Sequence, residues 1–163
     1  MRMKKGTSPE EYAGAMQHFD EIPERYRLET YTGQYRGDNT WERYVDEVLL
    51  EEKDSDRIRQ TARLGGNSWL EHMADRPRHH ALASPEDVNE WCEMHLGERT
   101  RKTIYEYYFV RVYDFYEHLK HSNQHPHLYN PFLLAAIEFE ATRSVWMVRI
   151  DRRNGGQAQS NDE

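Results

Sequence analysis

Residues 39–52, NTWERYVDEVLLEE, place Trp41, Tyr44, Val45, Val48 and Leu49 three or four positions apart, the spacing of one helix face. A second helix is predicted over 55–74, with Ser55 as cap and Ile58, Ala62, Trp69, Leu70 and Met73 as its stripe. Gly65 and Gly66 interrupt that pattern, and each costs a helix interior about 1 kcal/mol against alanine. Close packing of a neighbour, or a kink, is the expected reason for them. The third helix, 84–97, has the fullest boundary signals. Ser84 caps it, Pro85 opens its first turn, Glu86 and Asp87 face the positive end of the dipole, and Gly97 stops it. The fourth, RTRKTIYEYYFVRVYDFYEHL from residue 99 to about 121, has its main stripe in Ile104, Tyr108, Val112, Phe115 and Leu119. Its rings are mostly core, which leaves Tyr107 and Tyr113 for contact with a partner.

Two prolines in NQHPHLYNPF then break the pattern. In 132–150 the first half reads as helix, and VWMVRI fits either a helix or a short strand. Residues 1–38 are polar and read as a flexible arm with one short helix capped by Ser8. The low-complexity stretch 151–163 reads as a disordered tail. No period of 20–50 residues is present, so repeat architectures are excluded. The chain reads as an all-α bundle of four to five helices over 39–131, with 132–150 as an added segment.

Composition narrows the functional classes. The net charge of -7 and the mean hydropathy of -1.07 confine hydrophobicity to a few segments. No apolar run approaches the roughly 20 residues that span a bilayer. The opening MRMKKGTSPEEY has no apolar core, so a secretory signal is not expected. A single cysteine, Cys92, suits a reducing compartment; the expectation is a cytoplasmic protein. Acidic balance argues against nucleic acid as partner unless one face is locally basic.

There is no P-loop, dinucleotide-binding glycine pattern or nucleophile elbow. Neither a cofactor nor a small-molecule substrate is expected. His118, His121, His125 and His127 invite a metal reading. The helix dipole already accounts for cationic histidines at a C-terminus, so no metal site is assigned. His79 and His80, in a loop beside Arg76 and Arg78, read as solvated. Two basic clusters lie at predicted helix starts: Arg57, Arg59 and Arg63, and Arg99, Arg101 and Lys102. Such positions suit phosphate oxygens, although the same residues also fit solvated faces paired with Glu98, Asp54 or Asp56.

In order and spacing, several pieces of residues 39–131 resemble the N-terminal core-binding domain of tyrosine recombinases, the phage integrase family, in its haloarchaeal form. They are TWERYVDEVLL, the Arg-rich DRIRQTARLGGNSWLEHM, SPEDVNEWCEMHL, the helix with Thr103, Tyr107, Val110, Phe115 and Tyr116, and the closing LYNPF with Asn130 and Pro131. The resemblance implies a SAM-like orthogonal bundle that clamps double-stranded DNA in recombination or integration. By position it implies contacts from Arg57, Arg59, Arg63, Arg99, Arg101, Lys102 and Arg111. The family's catalytic Arg, His-x-x-Arg and nucleophilic Tyr have no counterpart here, so no catalytic residue is assigned. A separate catalytic integrase subunit, or self-association, is then an expected partner. The alternative is a protein–protein interaction module of a mobile element or regulator. It would use the aromatic helix or exposed apolar residues such as Leu133, Leu134, Ile137 and Trp146.

Overall fold

A computed structural model describes residues 8–154, with side chains through Asp151, and these residues form an all-helical fold. Short helices α1 (Pro9–Ala13) and α2 (Thr32–Tyr35) come first. Helix α3 then runs through Thr40–Tyr44, a π-helical stretch at Val45–Leu49, and Leu50–Glu52. Helix α4 is Asp56–Ala74 and α5 is Pro85–Leu96. Helix α6 joins Arg101–Ile104, a second π-helical stretch at Tyr105–Phe109, and Val110–His121. Helices α7 (Pro131–Glu138), α8 (Glu140–Trp146) and α9 (Val148–Asn154) complete the described residues.

The starts follow the capping chemistry. Ser55 Oγ accepts the Ile58 amide at 3.2 Å, and Ser84 forms a reciprocal capping box with Asp87. Thr100 Oγ1 accepts the amide of Thr103 at 3.3 Å, which places the start of α6 after Arg99.

The paired glycines mark where α4 is approached most closely. A Cβ on Gly65 would lie 2.7 Å from the carbonyl oxygen of Tyr108, so the α6 backbone rests directly on it. A Cβ on Gly66 would run into the indole of Trp41, which is itself packed edge-on against Phe115 at 5.2 Å. Close packing is therefore the reason for the glycines. Gly65→Ala is expected to destabilise the fold by about 2 kcal/mol, since the overpacking cost exceeds the helix-propensity gain. Urea unfolding at neutral pH measures it.

At the centre, Phe132 of α7 meets Trp69 at 5.2 Å, Phe109 at 5.1 Å and Tyr116 at 5.5 Å. Trp91 packs edge-on against Trp69 at 4.9 Å. All five rings are fully buried. This corrects the expected boundary at residue 131. Asn130 and Pro131 start a helix, with Asn130 Oδ1 accepting the Phe132 amide at 2.9 Å. Leu133, Leu134 and Trp146 are buried and Ile137 is half-buried, so they offer no exposed apolar interface. The ambiguous VWMVRI is helical on both sides of a turn at Met147, with no strand. Tyr113 is buried as well, which leaves Tyr107 as the accessible ring of that pair.

The expected arm is also different. Within residues 8–38, Ile22, Leu28 and Tyr35 drop singly into the core. The Leu28 amide donates to Tyr129 Oη at 2.9 Å, and the Phe19 amide to Glu138 Oε2 at 3.0 Å. Arg143 donates to both carboxylate oxygens of Glu10 at 3.2 Å. This segment uses three short 3₁₀ turns, so its anchors show no helical period. The expected flexible start at 1–7 and tail at 155–163 lie outside the described residues; residues 151–154 belong to α9.

Candidate interaction surfaces

The seven cations singled out by sequence and resemblance do not share one face. Arg57 and Arg99 lie over the rings of Tyr107 and Tyr108, each 5.0 Å from the centroid. Arg59 and Arg63 face α3. Arg101 turns the other way, donating to the Ser144 carbonyl and to Asp151, both at 3.0 Å. Arg111 points back into α4, where it donates to Thr61 Oγ1 at 2.9 Å.

Most of them are also compensated. Arg59 holds Asp54 through two bonds of 2.6 and 2.7 Å. Arg57 lies 3.7 Å from Glu106, Arg99 3.0 Å from Glu98, and Arg111 4.0 Å from Asp114. With Arg101 and Asp151 that makes five of the seven. Arg63 and Lys102 are exposed and, among the described residues, have no carboxylate within 4 Å.

One geometry has the outline of a nucleophile and base. Ser68 Oγ lies 2.9 Å from His95 Nε2. Its polarity is reversed for catalysis, however. Arg99 donates to His95 Nδ1 at 3.1 Å, so that nitrogen carries the lone pair and Nε2–H donates to the serine. Trp91 Nε1–H donates to the same oxygen at 3.0 Å. Burial and the adjacent Arg99 charge push the His95 pKa down to about 4. The pair ties α4 to α5 and leaves the hydroxyl unactivated. Cys92 is buried, and burial pushes its thiol up to about 12, so it is inert. Among the described residues, no group of three or more His, Cys, Asp or Glu side chains is placed to hold a metal ion. No helix among them is long and apolar enough to cross a membrane.

A groove of about 420 Å³ separates α3 from α4. Trp41, Val45 and Leu50 line it from α3, and Ala62 and Leu70 from α4. Val45, Leu50 and Leu70 are only half-buried, so apolar surface remains accessible. The π-helical stretch of α3 contributes Val45 and Asp46 to the wall; such widened turns recur at functional positions. Glu42, Asp46, Glu47, Glu51 and Glu52 on α3 are all exposed. Among the described residues none of these five forms an ion pair; Glu42 accepts only the Asn39 side-chain amide at 2.9 Å. The groove is thus an apolar slot with Glu42 and Asp46 on its α3 wall and Arg59 and Arg63 on its α4 wall, Arg59 being held by Asp54. In the sequence Val45 reads as part of the apolar face of its helix, and nothing in the pattern shows which helix packs beside it, so the groove is visible only in the fold.

No family model matches this chain, no curated protein is significantly similar to it, and no solved structure resembles it significantly.

Proposed function

We propose that the protein is a non-catalytic interaction module that receives a basic amphipathic helix of a protein partner in the α3–α4 groove. The observation that carries this reading is the pairing of accessible Val45, Leu50 and Leu70 with Glu42 and Asp46 on the same wall, neither of which forms an ion pair within 4 Å among the described residues. An incoming helix with apolar residues at i, i+3, i+4 and i+7 would fill the slot. Lysines on its flanks would meet the carboxylates, giving faster association and salt dependence. Anisotropy of a labelled Leu/Lys amphipathic peptide is the test, with a scrambled peptide of equal composition as control. Binding to the ordered peptide, lost in the Glu42→Lys plus Asp46→Lys variant, is the expected result. Equal binding of both peptides, or an unaffected variant, overturns the reading.

Duplex DNA is the second reading, supported by the family resemblance and by three exposed cations that no carboxylate holds through a hydrogen bond: Arg57, Arg63 and Lys102. A clamp using all seven cations would give a log–log salt slope of about -6, but three contacts give about -3. The same instrument with a duplex across a salt series separates the cases. DNA binding with the shallow slope, abolished by Lys102→Glu, would favour a weak nucleic-acid role over the peptide groove. Asp46 of α3 near Arg59 and Glu106 beside Arg57 oppose it electrostatically.

A further inference from the structure

Four histidines from two distant loops gather around Tyr35. The rings of His79, His125 and His127 lie 5.5, 5.9 and 6.0 Å from the tyrosine ring. His80 stacks on His79 at 4.1 Å, and His125 lies 5.9 Å from His127. Together they fasten residues 28–41 to the rest of the molecule. Tyr35 Oη is 2.6 Å from His125 Nδ1. The Trp41 amide donates to His80 Nε2 at 3.1 Å. His79 accepts the Ala81 amide on Nδ1 at 3.0 Å, so its Nε2–H donates to the Asp38 carbonyl at 2.8 Å.

Two of these bonds require a histidine lone pair. Protonating His80 Nε2 sets two donors against each other, and protonating His79 Nδ1 does the same at Ala81. His127 donates Nε2–H to the Ala81 carbonyl at 2.7 Å, while its buried Nδ1 has no partner. A proton there would be a buried, uncompensated charge. The surroundings do little to accept positive charge. Asp38 faces the cluster, but Arg43 already holds both its oxygens at 2.9 and 2.6 Å. Arg36, Arg76 and Arg78 line the hollow beside His79 and His80, with Arg78 committed to Asp87. His118 adds a further cation when protonated and disfavours charge on His125. Tyr116, against His127, is neutral.

We propose that this histidine cluster is a proton-operated latch, holding residues 28–41 against both loops at neutral pH and releasing them on acidification. Release uncovers the buried seats of Leu28 and Tyr35 while the α4–α5–α6–α7 centre stays packed. Burial pushes His80 to about 3 and His127 to about 4, and moves His79 and His125 downward. Each neutral-locked histidine favours the open state about 30-fold at pH 5 relative to neutral pH, so His80 and His127 together supply about 10³.

Hydrogen exchange of individual amides on the whole protein, corrected for intrinsic rates, tests this. The Leu28 and Trp41 amides are expected to lose about 10³ in protection between pH 7 and pH 5 through local opening, a loss that His95→Gln leaves unchanged, whereas the larger loss at the Val112 amide in α6 is lessened by His95→Gln. His80→Gln offers an acceptor to Trp41 that does not titrate, and should cut that loss about 30-fold. If it misfolds by circular dichroism, His125→Gln is the second variant, expected to blunt the loss. A loss at Leu28 and Trp41 that His95→Gln lessens as it does at Val112, or unchanged protection of Leu28 and Trp41 at pH 5, overturns the latch.

Discussion

Asp87→Ala is expected to lower the free energy of unfolding by about 3–5 kcal/mol, the range for breaking a buried pair by removing one partner. Asp87 is 1% exposed. Arg78 donates to both its oxygens at 2.6 and 2.8 Å, and Arg76 lies 3.7 Å away. Its Oδ2 also accepts the Ser84 amide at 2.9 Å, closing the cap of α5. Burial alone would raise its pKa, but the bonds from Arg78 and Ser84 prevail and hold it below the ordinary carboxylate range. Alanine therefore strands a half-buried guanidinium and opens the first turn of α5 together. Asp87→Asn keeps the shape and one acceptor while removing the charge, so it should fall between alanine and the parent. Urea titrations at pH 7 decide it, and a loss below 1 kcal/mol for Asp87→Ala would show that the pair contributes little.

Acid is the second strong perturbation. His80, His95 and His127 are held neutral, with burial the leading cause at each, at about 3, about 4 and about 4. The unfolded chain takes up their protons below its ordinary histidine pKa of about 6.5, whereas the folded chain does not. Stability therefore falls as pH drops from 6.5 and levels off near 4 to 3. At pH 5 each histidine costs about 2 kcal/mol, about 6 in all, comparable with the whole stability of a typical domain. Burial raises Asp114 to about 6, which works in the opposite direction. That side chain is 45% exposed, so solvent screens most of the offset. The carboxylates act in a separate window. Asp38, drawn down to about 2 mainly by Arg43, loses its contribution only as pH falls below about 4. Denaturant curves at pH 7, 6, 5 and 4 should show most of the loss above pH 4, with His95→Gln removing about a third of it. A flat profile down to pH 4.5 would exclude neutral-locked histidines as the cause.

Local patterns carried much of the fold into view. The expected helices at 39–52, 55–74, 84–97 and 99–121 start and end within about two residues of α3 to α6. Their caps are short-range chemistry, and Gly65 and Gly66 announced a close approach without naming Tyr108 or Trp41. Contacts between distant segments were not legible. Ile22, Leu28 and Tyr35 are isolated apolar residues in a polar stretch, and nothing periodic marks them as core. Asn-Pro at 130–131 signals a helix start as well as a domain end, and the sequence alone does not choose. The cations show the same split. Glu98 and Asp54 are neighbours in sequence and were weighed as partners, but Glu106 for Arg57 and Asp151 for Arg101 lie 49 and 50 positions away. The histidines at 79 and 80 look like loop residues until Tyr35 and Asp38 are brought against them.

The ion pair between Glu10 and Arg143, with Phe19 bonded to Glu138, has a bearing on how the molecule is made. These anchors join the opening of the chain to residues synthesised more than a hundred positions later. On a ribosome the stretch from Glu10 to Phe19 lacks these anchors until α7 and α8 have emerged. Its attachment is consequently among the last steps of assembly, and a nascent chain halted at residue 131 lacks the Phe132 ring of its aromatic centre and the partners of Glu10 and Phe19.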